Sequence, residues 1–329
     1  MKRVGYLMES IASLDSLYLA YQKACRGKQR KAEVVRFAAL FEENIRSMRR
    51  QLLDETIAVG HYRYFKIHDP KERLVCAAPF RERVLHHAIM NICHPYFDRT
   101  LIDSTYATRK GKGVYAALDH AKRALAHYRY TVKLDFRKYY DSIDHGILKM
   151  RLRRIFKDPA LFRLLERIID SYHVVEGKGL PIGNLTSQYF ANLYLLELDH
   201  KATEKYKVSA YIRYMDDILM VENDSVDLKH IVQQMTSFAS DALHLTFKPP
   251  VFRKAKDGQS FLGYHVMPNY CKLSGRSKRR FRSKLLVYNR WLEDGIWTER
   301  QYEEHVLPLL SFVQHAESWS FRNACLKII

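Results

Sequence analysis

The stretch Tyr211 to Glu222, YIRYMDDILMVE, limits what this chain can fold into more than any other. Two runs of β-branched, aromatic and apolar residues flank the adjacent carboxylates Asp216 and Asp217. Such a pattern predicts a strand, a tight turn and a second strand, with the acidic pair at the tip. Aspartate is also a common turn former, so in isolation the stretch reads as well as an ordinary acidic turn. Two like charges beside strands that must be buried require a compensating cation, and hard oxygen donors favour Mg²⁺, with Mn²⁺ as a substitute. The pair then needs a partner from elsewhere in the chain.

Tyr130 to Ile143, YTVKLDFRKYYDSI, supplies it. The run Thr131-Val132-Lys133-Leu134 delivers Asp135 to the end of a strand, and Phe136 to Tyr140 carry the chain towards a helix beginning near His145. Asp135, Asp216 and Asp217, with the backbone carbonyl of Phe136, are the candidate ligands of two divalent ions about 4 Å apart, as an in-line phosphoryl transfer requires. In this order, with a long helical insertion between them, the two motifs resemble the polymerase palm of reverse transcriptases, where an Asp-Phe-x-x-x-Tyr/Phe segment precedes a Tyr-Met/Ala-Asp-Asp hairpin. The resemblance implies an RNA-directed DNA polymerase with an α+β, right-hand fold: a helical extension over 1–60, fingers and palm over 61–267 with an antiparallel sheet packed on helices, and a short basic helical thumb over 268–329. It also puts Tyr140 beneath the sugar of the incoming nucleotide, favouring dNTPs over ribonucleotides; a core tyrosine is the alternative. Tyr214 and Met215 of the hairpin fall where the family contacts nucleic acid.

Charge supports a polyanionic partner. The chain carries 55 Lys and Arg against 36 Asp and Glu, a formal net charge of +19, more than solubility needs. A membrane surface is the rival, but no stretch approaches the roughly 18 consecutive apolar residues of a span, and Glu9, Ser10 and Asp15 interrupt the N-terminal apolar positions. Residues 6–24 and 33–53 therefore read as amphipathic helices. Their basic connector, CRGKQRKA, reads as a solvated loop or a nucleic-acid contact. The five cysteines are scattered without metal-type spacing, as expected of reduced thiols in a cytoplasmic protein.

Several basic segments extend the resemblance. His61 to Ala78 reads as a hairpin around Asp69-Pro70, with Lys71 and Arg73 near its tip. The family lays such a hairpin over the triphosphate, and a guanidinium grips phosphate bidentately, which favours Arg73; a solvated turn is the alternative. The helix that follows holds His86 and His87 as structural residues. Arg109, Lys110 and Lys112 sit among glycines before a helix, a placement suited to phosphate, and resemble the family's nucleic-acid contact R-x-G-K/R-G. Phe261-Leu262-Gly263-Tyr264 resembles the hairpin that grips the primer. Lys248, in competition with Lys254 and Lys256, falls near the position of a lysine beside the leaving pyrophosphate. From Lys272 to Arg290 eight basic residues occur without an acidic one. Lys278, Arg279, Arg280, Arg282 and Lys284 are the candidate duplex contacts there, and residues 298–317 are expected to form a second thumb helix.

The loop Lys178 to Gln188 decides the subclass. Its position resembles the loop that cradles the nascent base pair, formed here by Ile182, Gly183 and Gln188, ahead of a helix expected over Ser187 to Tyr206. Most of the family has glutamine after the proline, whereas this chain has Ile182. The pattern I-G-x-x-x-S-Q resembles reverse transcriptases of diversity-generating retroelements, prokaryotic or phage-encoded, which misincorporate opposite template adenine. That resemblance implies a template RNA, a cDNA primer or product, and a small basic oligomeric accessory protein as partners. A group II intron-like or retron-type enzyme of ordinary fidelity is the alternative, as is a non-catalytic RNA-binding relative. Against these, about 65 residues follow Tyr264, room for a thumb alone; the retron signatures Asn-Ala-x-x-His and Val-Thr-Gly do not occur; and buried carboxylates without a use are costly.

Overall fold

The computed structural model describes residues 3–67 and 72–326. They form two compact units: one from the described residues of Met1–Ile102, Arg137–His200 and Ser237–Thr246, the other from those of Asp103–Phe136, Lys201–Thr236 and Phe247–Ile329.

The first unit is mainly helical. The helix Leu14–Cys25 lies against the long helix Phe80–Asp98, and Leu17, Ala20, Val84, Leu85, Ala88 and Ile89 are fully buried. Apolar residues three and four apart form the stripe that closes this core. One carboxylate ties two helix starts together. Asp158 Oδ1 caps the helix Pro159–Asp170 by accepting from Leu161 N at 3.1 Å, while Oδ2 accepts from Leu7 N at 2.6 Å and Met8 N at 3.1 Å. Three of the orphaned N–H groups that every helix start leaves are thereby satisfied. The expected N-terminal helix breaks at Ser13, whose Oγ accepts from Ser16 N at 3.3 Å and starts a new helix. The expected helix over 33–53 likewise divides at Leu40, where φ −122° and ψ 43° leave the helical region.

The same unit holds the hairpin of β1 (Arg63–Ile67) and β2 (Arg73–Ala77), paired antiparallel from Arg63 with Ala77 to Ile67 with Arg73. Its tip, including Lys71, and the Arg73 side chain lie outside the described residues. The expected helix Ser187–Tyr206 starts earlier and breaks: Leu185–Tyr194, Leu196–His200 and a π-helical turn over Lys201–Lys205 replace it. The Tyr139 hydroxyl donates to Ala191 O at 2.5 Å. That carbonyl is the acceptor the Leu195 N–H would use in an unbroken α-helix, so the competing bond explains where it stops.

The second unit contains a four-stranded antiparallel sheet in the order β4 (Ala210–Tyr214), β5 (Asp217–Glu222), β3 (Tyr130–Leu134), β6 (Val251–Lys254). Ile218, Leu219, Met220 and Val221 of β5 are all fully buried, as befits a strand enclosed by neighbours and covered on both faces. The helix Val114–His127 places Ala117, Leu118 and Ala121 against Ile212, Leu219 and Val221 in one apolar cluster. A second antiparallel sheet, β7 (Gln259–Phe261), β8 (Tyr264–Val266) and β9 (Cys271–Leu273), carries the helices Gly275–Glu293 and Glu299–Gln314. Lys272 thus belongs to β9, and the basic helix begins only after Ser274, which caps Ser277 N at 3.1 Å.

All five cysteines are free and buried. No described helix is long and apolar enough to cross a membrane.

His86 and His87, expected to be structural, give the first unit an acid-sensitive core. Burial, and then the His87 charge, pushes His86 down to about 3; burial and then the nearby cations push His87 down to about 4. The unfolded chain takes up these protons near pH 6.5, so between about 6.5 and 4 it binds more protons than the folded chain. Stability therefore falls as pH is lowered through that window, and these two groups have no effect above it. Glu82, raised by burial, acts in the opposite direction. The denaturant midpoint of wild type should drop between pH 7 and 5 more steeply than that of His86→Leu; parallel curves would show that the histidine does not drive the loss.

Candidate active site

The register of the sheet builds the site. β3 and β5 pair antiparallel from Tyr130 with Glu222 to Leu134 with Ile218. One step beyond the last pair stand Asp135 and Asp217. β4 and β5 pair up to Tyr214 with Asp217, which leaves Met215 and Asp216 as a two-residue hairpin loop. Two of the three carboxylates thus come from facing strand ends and the third from the turn between β4 and β5.

Such a concentration of negative charge shows in the acidities. Burial, and after it the charges of Asp217 and Asp135, pushes the Asp216 carboxyl up to about 6, while Lys248 opposes the rise. Two ammonium groups answer the other two carboxylates. Lys248 Nζ donates to Asp135 Oδ2 at 2.5 Å, and Lys248 N donates to Asp135 O at 2.8 Å. Lys133 Nζ stands 2.9 Å from Asp217 Oδ1, an ion pair by distance whose angle leaves that buried oxygen without a hydrogen bond. Lys133 was not anticipated; it lies two residues before Asp135, and period-two alternation along a strand was the signal for it.

The turn is held from below by Arg213, fully buried. Its Nη1 donates to Met215 O at 2.9 Å, and its backbone accepts from Tyr106 N at 2.9 Å and donates to Ser104 O at 3.0 Å. Phe136, also buried, stacks on Phe247 with ring centroids 4.1 Å apart, which anchors the chain just after Asp135.

Among the described residues no group of three or more His, Cys, Asp or Glu side chains is placed to hold a metal ion. The donor set nevertheless fits a hard divalent cation. It is all carboxylate oxygen, one buried oxygen lacks a hydrogen bond, and two lysine ammoniums take the cationic positions beside it.

The remaining candidates fall in several places. Tyr140, Ile182, Gly183 and Gln188 belong to the first unit. Tyr140 O accepts from Leu180 N, and Ile182 O from Cys76 N, each at 2.9 Å, tying the 178–183 loop to the short helix Tyr139–Ser142 and to β2. Gly183 has φ +120°, and a Cβ there would meet Cys76 O at 2.5 Å, so only glycine lets the loop lie on β2. Gln188 is exposed. In the second unit Arg109 Nη1 donates to Thr105 O at 3.1 Å, Lys112 pairs with Asp103 at 2.6 Å, and Lys110 is exposed. Phe261 and Tyr264, expected to touch nucleic acid, have buried side chains, and the Tyr264 hydroxyl donates to Phe312 O at 2.7 Å. Leu262 and Gly263, both at positive φ, form the accessible turn between them. On the basic helix Lys278, Arg279, Arg280 and Arg282 are exposed and Lys284 half-buried, with Lys278 and Arg282 lying over the Phe321 ring.

Residues 66–266 match the family described as reverse transcriptase (RNA-dependent DNA polymerase). The chain belongs to that family. Its class is therefore that of an RNA-directed DNA polymerase, a nucleotidyltransferase. Among similar proteins, Protein YkfC of Escherichia coli is 22% identical over 269 residues, covering 66% of this chain and 71% of YkfC. Group II intron-encoded protein LtrA of Lactococcus lactis is 26% identical over 198 residues, covering 56% of this chain and 33% of LtrA. Telomerase from Candida tropicalis, solved with a TWJ fragment of telomeric RNA, shares the fold at TM-score 0.50 and 12% identity, over 81% of this chain and 55% of that one. The chain thus spans a third of the intron-encoded protein and about half of the telomerase chain. The reverse transcriptase has a right-hand polymerase fold.

The turn carries one sequence cost of its own. Met215 has φ +54°, a conformation that costs a residue with a side chain roughly 1–2 kcal/mol and glycine almost nothing. Met215→Gly should unfold at a higher temperature than Met215→Val, whose branched Cβ fits the left-handed region worst; the reverse order in thermal melts would mean that another conformation is adopted.

Proposed function

We propose that this reverse transcriptase copies RNA into DNA by two-metal nucleotidyl transfer, with Asp135, Asp216, Asp217 and the carbonyl of Phe136 as ligands of two Mg²⁺ ions. The observation that carries the reading is the strand register that sets Asp135 and Asp217 one step beyond the last β3–β5 pair, with Asp216 in the adjoining turn, inside the region matched by the family. Bound divalent ions supply stabilisation of charge on the attacking and leaving oxygens of an in-line displacement. The protein's part is positioning. Strand pairing fixes Asp135 against Asp217, Arg213 holds the turn that presents Asp216, and Lys248 keeps Asp135 oriented. Of the three candidate lysines, Lys248 alone contacts one of these carboxylates among the interactions described, and we assign it to the side of the leaving pyrophosphate.

The remaining assignments are part of the same proposal. Tyr140 selects the deoxy sugar, Lys71 and Arg73 meet the triphosphate, and Ile182, Gly183 and Gln188 contact the nascent pair. Arg109, Lys110, Lys112, Tyr214, Met215, the 261–264 hairpin and the basic face of the thumb hold template and product. Replacing Asp216 by asparagine removes a ligand charge while keeping the shape of the turn. In primer extension on an RNA template with Mg²⁺ and dNTPs, Asp216→Asn should be slower by about a thousandfold or more, with an unchanged circular dichroism spectrum. Wild-type rates in that variant would sink the two-metal assignment.

We further propose that the enzyme belongs to the diversity-generating type and errs opposite template adenine, working with a small basic oligomeric accessory protein. Support comes from Ile182 in the loop pattern I-G-x-x-x-S-Q: a hydrocarbon side chain gives a base-pair check only van der Waals contact, where a glutamine amide hydrogen-bonds. Intron-encoded relatives such as LtrA favour the second reading, an intron-type enzyme of ordinary fidelity. Sequencing of cDNA made on one RNA separates the two. Errors opposite adenine should exceed those opposite the other bases, and Ile182→Gln should lower them roughly tenfold or more, the worth of one pairing contact. Uniform accuracy in wild type would favour the intron-type enzyme.

A further inference from the structure

A second site, wholly within the first unit, is suggested by a cavity of about 120 Å³. The end of the helix Leu14–Cys25, the basic connector after it, the helix Phe80–Asp98 and the segment Gly183–Leu185 enclose it. Four cations line it: Lys23, Arg26, Lys28 and Arg83. Their fields converge there, since after burial it is Lys23, Lys28, Arg83 and Arg26 that depress His87. Lys28 is itself lowered, by burial first and then by Arg83 and Lys31.

The acidic and polar groups facing this cluster engage it only in part. Glu33 accepts from Arg83 Nη2, leaving Arg83 Nε buried without a partner. Asn91 Oδ1 accepts from Lys23 Nζ. Glu82 is turned to Gly60 N, at 3.0 Å and 3.1 Å. Two deeply buried lining residues keep unused polar atoms. His86 Nε2, on a side chain 1% exposed, has no hydrogen-bond partner and lies 3.6 Å from Glu82 Oε1. Asn184, 3% exposed, stands at the N-cap of the ten-residue helix Leu185–Tyr194 without making a cap bond, and its Nδ2 has no partner in hydrogen-bond geometry. The Tyr62 hydroxyl, paired with Ser171 Oγ at 2.8 Å, has the Asn184 side chain as a second hydrogen-bonding neighbour.

We propose that this cavity binds one phosphate group. A helix start, a buried amide donor and four cations on several sides form a cage that suits a tetrahedral oxyanion, with hydrogen bonds strengthened by charge. The cavity has room for about four waters, hence for a single such group. An RNA strand and free phosphate both offer this chemistry.

The site is tested by binding alone, so its failure is distinct from any failure of the polymerase assignment. Inorganic phosphate is titrated into the full chain by calorimetry at constant ionic strength, for wild type, Lys28→Gln and Asn184→Asp. Wild type should bind one phosphate saturably, and each variant should bind it about tenfold more weakly or worse, the worth of one charge-assisted contact. Without phosphate, Lys28→Gln should melt no lower than wild type, because repulsion is relieved; a purely structural lysine would lower the melting point. Should Asn184→Asp fail to fold, Lys28→Gln carries the test, since Lys28 lies in the connector between helices. Absence of saturable phosphate binding, or affinity unchanged by the substitutions, overturns the proposal. Competition with an oligoribonucleotide bearing a 5′-phosphate or a 5′-hydroxyl then identifies the source. Displacement by the first alone indicates a strand end, by both a backbone diester, and by neither free phosphate; each of these keeps the site.

Discussion

Repulsion among three carboxylates, held together by strand pairing, is the constraint around which the second unit is arranged. Asp135 and Asp217 extend the β3–β5 register, and Asp216 sits in the adjoining turn. Burial strengthens the repulsion that the charges of Asp217 and Asp135 exert on Asp216. The backbone pairing cannot relax, because β5 is fully buried along its centre and paired with a strand on each edge. The repulsion is therefore answered locally, by a weakened acidity at Asp216, whose pKa is raised, and by the ammonium groups of Lys248 and Lys133.

Arg213 illustrates how the same constraint reaches into the core. A fully buried guanidinium is costly unless its donors are satisfied. Here Nη1 is spent on the Met215 carbonyl, which fixes the turn, and the backbone of Arg213 joins the segment Ser104–Tyr106 to the edge of β4. The strained Met215 is tolerated because its neighbours over-determine it. In the first unit the 178–183 loop is fixed in a similar way, by bonds from Gly179, Leu180 and Cys76 and by a glycine that no other residue can replace.

Much of this was legible in the sequence where local physics governs. Apolar runs around Asp216-Asp217 and before Asp135 gave the strands, and the helix holding His86 and His87 and the one beginning at His145 lie where they were expected. Boundaries were misread where a side chain from a distant segment intervenes. The break after Tyr194 follows from the Tyr139 hydroxyl, fifty residues or so upstream in sequence, capturing the Ala191 carbonyl. Phe261 and Tyr264, taken from the resemblance as part of a primer-gripping hairpin, have side chains buried in the core of the second sheet.

What the sequence determined by itself is the chemistry available: two acidic motifs on strand-forming runs, a large positive charge, and a glycine-containing loop with isoleucine after its proline. These are local, set by residue type and period. That one of the candidate lysines Lys248, Lys254 and Lys256 would meet Asp135 could not be read from the sequence. Tertiary structure chose Lys248, because its backbone bonds to Asp135 just beyond β3 while Lys254 and Lys256 flank a different hollow with Arg129 and Tyr130. Lys133 on Asp217, Arg213 under the turn, and the cation-lined cavity around Asn184 were decided in the same way. Each depends on which side chains are brought within a few ångströms across long separations in sequence, and that distance is a property of packing that no local pattern encodes.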